Sequence, residues 1–282
     1  MTAAPVAATT WEGSSPRDWQ RLWRLPLLRI LDETVSSNDD ARELAFAGAP
    51  AGTVVIAEHQ SAGRGREGRA WDAGSGLSLL LSVVLRPADP ASAAPGPTPI
   101  RVGLAVCAAI EHCSDLATTL KWPNDVLAPD GRKLAGVLCE AATGGGSSFV
   151  VAGTGINVLQ TADHWPPHLA PFATSLRDAS GRVQDRATLA GALLDRLRPF
   201  LLQGPELRAD ELREFRRRDA LHGCAVRVDG SPAGVADGIA PDGALLVRTP
   251  TGPRAFRAGT VRLDGASTFR RGRPQPPHSP PQ

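Results

Sequence analysis

Tyrosine is absent from this 282-residue chain, and only two of its 31 basic residues, Lys121 and Lys133, are lysines. Arginine, alanine, glycine and proline are abundant, as in a GC-rich genome, where a lysine serving only as surface charge would drift to arginine. Two readings stand: chance survival, or a segment, KWPNDVLAPDGRKLAG, that needs compact ammonium groups with movable pKa values. No run of eighteen apolar residues occurs, which excludes a membrane-spanning helix. No basic stretch precedes an apolar one at the N-terminus, so no secretory signal is expected. A net charge of +2 argues against a protein built mainly to coat nucleic acid. Cys107, Cys113, Cys139 and Cys224 lack C-x-x-C or metal-like spacing and read as reduced, mostly buried thiols of a cytoplasmic protein.

The chain alternates strand and helix signals. LLRILDET (27–34), TVVIAEH (53–59) and GLSLLLSVVLRP (76–87) read as strands, the last stopped by Pro87. A helix is expected over 38–46, another over 100–113, and amphipathic helices over 188–202 and 206–218. KLAGVLCEAA and SFVVAGTGINVL read as a strand pair around a glycine turn. Residues 1–26 are left as a polar leader with a short helix near 16–25. Residues 88–99 form a proline-rich loop. After Ala220, four short strand-like pieces separated by glycine and proline turns predict a small β-barrel over 219–265. A proline-rich tail, expected to be disordered, covers 266–282.

AGRGREGRAW (62–71) contains a literal G-x-G-x-x-G. A dinucleotide site requires that such a loop open a helix, with an acidic residue about twenty positions on. RAWDAGSG has no helical apolar period and a strand follows, so the dinucleotide reading fails. What remains is a glycine loop carrying Arg64, Arg66 and Arg69. Its glycines admit an anion close to the backbone, and its guanidinium forks match phosphate or carboxylate oxygens. From the loop alone, a solvated flexible arginine segment or an RNA contact competes equally. Other stretches add polar groups at strand ends. Ser36-Ser37-Asn38 either caps a helix or contacts a ligand. Gln60 precedes the loop, WPND offers Asn124 and Asp125, and GTGIN ends in Asn157. Positive groups, an acid, amides and backbone donors together suit activation of a carboxylate by a nucleotide.

With SSN (36–38), Gln60, GRGREGRAW, KWPNDV, KLAGVLCE, GTGINV and ATSL (173–176) in this order, the sequence resembles biotin protein ligases over about residues 27–265. The resemblance implies an α+β fold: a mixed β-sheet catalytic domain flanked by helices, class II synthetase-like, over 27–218. It also implies a C-terminal SH3-like barrel. Biotin and MgATP would give biotinyl-5′-AMP and pyrophosphate, and biotin would then pass to a lysine of a biotin carboxyl carrier domain.

Carried over by motif, Ser36, Ser37, Asn38, Gln60, Arg64, Gly65, Arg66, Lys133, Gly136 and Gly153 would surround biotin. Arg66, Arg69, Trp71, Lys121, Asn124 and Asn157 would serve ATP, with Trp71 closing over the adenine. Lys133, Arg64, Arg66 and Asp125 form the catalytic set, and Asp125 would place Mg²⁺ or accept the proton of the acceptor lysine. Glu67 sits where some relatives are basic, and is expected to weaken adenylate retention or to pair with Arg64 or Arg69. With 26 residues ahead of the first catalytic strand, no DNA-binding module and no repressor activity are expected. The resemblance admits homodimerisation through the main sheet. Rival readings are a lipoate or octanoate ligase or transferase, a non-catalytic RNA-binding protein using the loop and Arg216–Arg218, and an inactive sensor.

Overall fold

VVIAEHQ and SLLLSVVL are rich in β-branched and leucine side chains, and both become central strands buried on two faces. The computed structural model of the chain describes residues 5–86, 96–144, 147–200 and 204–264. Most of the predicted 88–99 loop and all of the 266–282 tail lie outside these. The strands are β1 (Val6–Ala7), β2 (Leu28–Thr34), β3 (Val54–Gln60), β4 (Ser78–Leu85), β5 (Thr119–Lys121), β6 (Asp125–Leu127), β7 (Lys133–Gly144) and β8 (Ser147–Asn157). They form one sheet in the order β1-β2-β3-β4-β8-β7-β6-β5. Only β2 and β3 pair in parallel, so the sheet is mixed.

Helices α1 (Pro16–Leu22), α2 (Ser37–Phe46), α3 (Thr98–Ser114), α4 (Leu176–Ser180), α5 (Arg186–Leu197) and α6 (Ala209–Arg218) flank it. Strand alternation assigns the faces. Leu79, Leu81, Val83 and Leu85 of β4, with Ala152 and Ile156 of β8, join the large core beside α3 and α5. Val84, Phe149 and Val151 face the other way and pack with Ala41 and Ala45 of α2.

Residues 6–23, read from sequence as a polar leader, lie on this sheet. Val6 and Ala7 pair with β2. Ser15 caps α1, with Pro16 in its first turn, and Trp19 stacks on Trp23 at 4.9 Å. Trp11 and Trp23 are buried in the large core.

The C-terminal segment is a five-stranded antiparallel sheet compatible with an SH3-like domain. Its order is β12-β11-β10-β9-β13. The strands are β9 (Ala225–Val228), β10 (Ser231–Ile239), β11 (Leu245–Thr249), β12 (Gly252–Phe256) and β13 (Val261–Leu263). The last of the four predicted pieces therefore contains two strands, with a turn at 257–260 that breaks the pairing.

α6 ties the two parts together. Arg218, the last of the arginine run, is only 3% exposed. Its guanidinium is held by Glu111 of α3 and by Glu214.

Candidate active site

Where α2 begins, the sheet face it covers changes from bulky to small side chains. Ser82 of β4, Gly136 of β7, and Gly153 and Gly155 of β8 fall on this face by strand alternation and form a floor. A methyl added at Gly153 would lie 2.2 Å from Asn38 Oδ1, and one at Gly155 would lie 2.5 Å from the Trp71 ring. Both positions require glycine because another side chain rests directly on the backbone.

The first turn of α2 borders this floor. Ser36 stands at the N-cap position yet makes no capping bond, and it is buried against the cavity. Gln60 Oε1 accepts from the Ser37 amide at 2.8 Å and from its hydroxyl at 2.9 Å. Ser37 Oγ lies 2.8 Å from Ser82 Oγ, which donates to Asn38 Oδ1 at 2.7 Å. Asn38 Nδ2 donates to Glu140 at 2.6 Å. The motif residues are thus fixed by one another, which preorganises the pocket wall.

The glycine–arginine loop folds over this floor as a closed hairpin. Trp71 N donates to Gly63 O at 2.8 Å, and Gly65 N donates to Arg69 O at 2.7 Å. No helix follows, and the next regular element is β4, so the dinucleotide pattern is a coincidence of letters. The three arginines diverge. Arg64 forks onto Asp39 of α2 at 2.8 and 2.7 Å. That guanidinium holds the Asp39 carboxyl below the usual carboxylate range, and Arg42 adds to the effect. Arg66 Nη1 donates to Gly259 O at 3.3 Å. Arg69 Nη2 donates to Glu67 at 2.9 Å and to Thr260 at 3.1 Å.

Both lysines of the chain meet one carboxylate. Asp125 on β6 lies 2.6 Å from Lys133 Nζ through Oδ1 and 3.6 Å from Lys121 Nζ through Oδ2. Burial pushes the Lys121 ammonium below the usual lysine range, with Lys133 adding to the shift and Asp125 opposing it. Lys133 Nζ also stands 5.3 Å from the Trp71 ring centroid, a cation–π geometry. The Trp71 indole N–H is buried without a protein acceptor. Asn124 Nδ2 clips β7 by donating to Val137 O at 2.9 Å.

Ser36, Ser37, Asn38, Gln60, Arg64, Gly65, Arg66, Arg69, Trp71, Lys121, Asn124, Asp125, Lys133, Gly136 and Gly153 all line one cavity. Two sequence expectations are corrected. Asn157 is not among the lining residues; it is 3% exposed, and its amide donates to Thr174 O at 3.0 Å and Lys133 O at 3.5 Å. It shapes the backbone beneath Lys133 instead of facing the nucleotide. Arg64 lines the cavity while Asp39 holds its guanidinium at the loop stem. Asp125 has both oxygens facing ammonium groups and does not fit a metal ligand. Among the described residues, no cluster of three or more His, Cys, Asp or Glu could hold a metal ion.

The cavity also contains Gly155, Thr260 and Val261, which sequence reasoning missed. The i, i+2 spacing of Gly153 and Gly155 carried a signal, since both must share a face. Nothing local marks Thr260.

A mixed sheet, an arginine loop over a glycine floor and one carboxylate shared by two lysines make a pocket suited to anionic ligands. A model of the biotin/lipoate A/B protein ligase family matches residues 31–157. The biotin–acetyl-CoA-carboxylase ligase of Mycobacterium tuberculosis is 40% identical over 228 residues, spanning 78% of this chain and 80% of that one. The enzyme of the same name from Paracoccus denitrificans is 32% identical over 256 residues, spanning 84% of this chain and 100% of that one. Among solved structures, biotin protein ligase from Aquifex aeolicus in complex with biotin and ATP matches with a TM-score of 0.71 at 27% identity. That match covers 84% of this chain and 99% of that one. This chain belongs to the biotin/lipoate A/B protein ligase family.

Proposed function

We propose that the chain is an ATP-dependent biotin protein ligase. The observation that carries this reading is the Lys133–Asp125–Lys121 cluster beside a glycine floor and beneath an arginine loop. In the first step a carboxylate oxygen of biotin attacks the α-phosphorus of ATP. The bond to the bridging oxygen breaks, and pyrophosphate leaves. Ser36, Ser37, Gln60 and the floor at Gly136 and Gly153 receive biotin. Lys133 and Arg66 oppose the negative charge that grows in the transition state. Arg69, Trp71, Lys121 and Asn124 lie on the nucleotide side, where the unpaired Trp71 N–H gains an acceptor. In the second step the amine of a carrier lysine attacks the acyl carbon and AMP leaves. Asp125 is the carboxylate placed to take the proton.

Mg²⁺ is expected to arrive on the triphosphate, because the residues present do not form a cage for it. The macromolecular partner is the biotin carboxyl carrier domain of an acyl-CoA carboxylase, and DNA is not among the partners proposed. No helix among the described residues is long and apolar enough to cross a membrane, and Cys107, Cys113 and Cys139 are free thiols. A cytoplasmic location fits these thiols.

Exchange of labelled pyrophosphate into ATP tests the reading. Biotin is expected to support exchange, whereas lipoate and octanoate are not. Exchange with lipoate or octanoate but not biotin, or with none of the three, would overturn it. A second expectation concerns Trp71. Gly155→Ala places a methyl into its ring, and overpacking of this kind costs about 1–3 kcal/mol. The apparent KM for ATP in the exchange assay should rise roughly five- to 150-fold, at that cost. An unchanged KM would remove Trp71 from the nucleotide side.

A further inference from the structure

The tip of the arginine loop is tied to the C-terminal sheet. Thr260 Oγ1 lies 2.6 and 2.7 Å from the two Glu67 carboxylate oxygens and accepts from Arg69 Nη2 at 3.1 Å. Arg66 reaches the neighbouring Gly259 carbonyl. Thr260 is itself held in place: its amide donates to Asp229 Oδ1 at 2.7 Å, and the Asp229 amide donates to Thr260 O at 3.0 Å. Gly259 has φ +127°, and a methyl there would meet Asp229 Oδ2 at 2.9 Å. The turn at 259–260 is therefore a fixed post between β12 and β13. Glu67 meets it from a left-handed backbone, φ 59°, which is unfavourable for glutamate and persists where surrounding contacts impose it. Thr260 and Val261 also line the cavity, so the post is part of its wall.

We propose that Thr260 is a positioning residue for the arginine loop, its hydroxyl latching Glu67 so that the C-terminal sheet sets how long the loop stays closed over a bound adenylate. The latch rests on the ligase reading for its consequence, but not for its existence. Of the two sequence expectations for Glu67, pairing with Arg69 is the one seen, at 2.9 Å, and the latch replaces weakened adenylate retention. The carboxylate does not loosen the loop by repelling an anion; it fastens the loop tip and pairs Arg69.

Thr260→Val keeps the shape and removes the hydroxyl, while Thr260→Ser keeps the hydroxyl. Two readouts separate the latch from the activity. In the ligand-free chain, trypsin cleavage after Arg64, Arg66 and Arg69 reports loop opening. In the loaded chain, a chase of preformed biotinyl-adenylate reports its release. The bonds are exposed and individually weak, so Thr260→Val is expected to speed both about three- to tenfold. Thr260→Ser should return both toward the parent values. Glu67→Ala, which removes the acceptor, should mimic Thr260→Val, and the double variant should add little, because both remove the same contact. If Thr260→Val fails to fold, Glu67→Ala on the loop side still decides the matter. Parent-like cleavage and release in the folded variants would overturn the latch. Absence of biotin-dependent exchange in the parent chain would instead overturn the ligase reading, and the cleavage readout would still test the latch.

Discussion

Replacing Lys133 with alanine is expected to lower biotin-dependent pyrophosphate exchange by about 10²–10³-fold, the loss typical when one donor to developing transition-state charge is removed. Its ammonium stands where three parts of the site converge: Asp125 at 2.6 Å, the face of Trp71, and the glycine floor at Gly136. A methyl at Gly136 would approach Lys133 Nζ at 3.2 Å, so the lysine already lies along the floor without needing to swing in. Lys121 is a poor replacement. It is 3.6 Å from the other Asp125 oxygen, and burial disfavours its charged form. Lys133→Arg should rescue little, since the larger planar guanidinium requires space that Trp71 and Gly136 do not leave. Biotin affinity should fall less than the exchange rate, because the contact strengthens as charge develops. Near-normal exchange by Lys133→Ala would exclude Lys133 from catalysis.

Much of this site was legible because its parts are short contiguous strings at strand ends. The loop's failure as a dinucleotide motif followed from RAWDAGSG, where no helix could start. The scarcity of lysine marked Lys121 and Lys133, and the structure brings both to one carboxylate. Other features depend on partners remote in sequence. Arg64 faces Asp39 from 25 residues away, and Thr260 meets Glu67 across 193. No local pattern announces either pairing. Asn157 was misplaced for a different reason. It ends β8 at the rim of the site, but its amide turns toward the backbone carbonyls of Lys133 and Thr174, a demand that only the folded register creates. The tryptophans of residues 11–23 lie in a stretch read as a polar leader, and they become core only against α5 and the sheet. The barrel was visible as glycine-punctuated strand pieces, yet its role as a wall of the cavity was not.

The division of labour among the three loop arginines also changes what substitution can report. Arg64 is held bidentately by Asp39, so losing it loosens the stem of the hairpin. Arg69 belongs with Glu67 at the tip. Arg66 lines the cavity and makes a single longer bond to a carbonyl, which leaves most of its guanidinium donors for an anion. Of the three, Arg66 is the one whose charge is best placed to act on the reaction directly.

The site stands on a scaffold that includes a buried ion pair. Glu211→Ala is expected to destabilise the fold by about 3–5 kcal/mol, because it leaves the Arg101 guanidinium buried without its counter-ion. Arg101 on α3 and Glu211 on α6 have side chains only 5% and 4% exposed and meet at 2.9 Å. Arg101 also donates to Gly204 O at 2.7 Å and to Glu206 O, so it fixes the entry to α6. Glu211 closes the same corner by accepting from the Arg208 amide at 2.7 Å. The chain then runs from α6 into Ala220, whose amide donates to Leu120 O beside Lys121. Loss of Glu211 should therefore appear as a large fall in the urea midpoint with an unchanged slope. Arg217→Ala provides the contrast on the same helix. Its side chain is 49% exposed and pairs mainly with Glu214, so its removal should cost no more than about 1 kcal/mol. Equal midpoints for the two variants would show that water reaches the Arg101–Glu211 pair, and that this corner does not hold α6 against the sheet that carries Lys121.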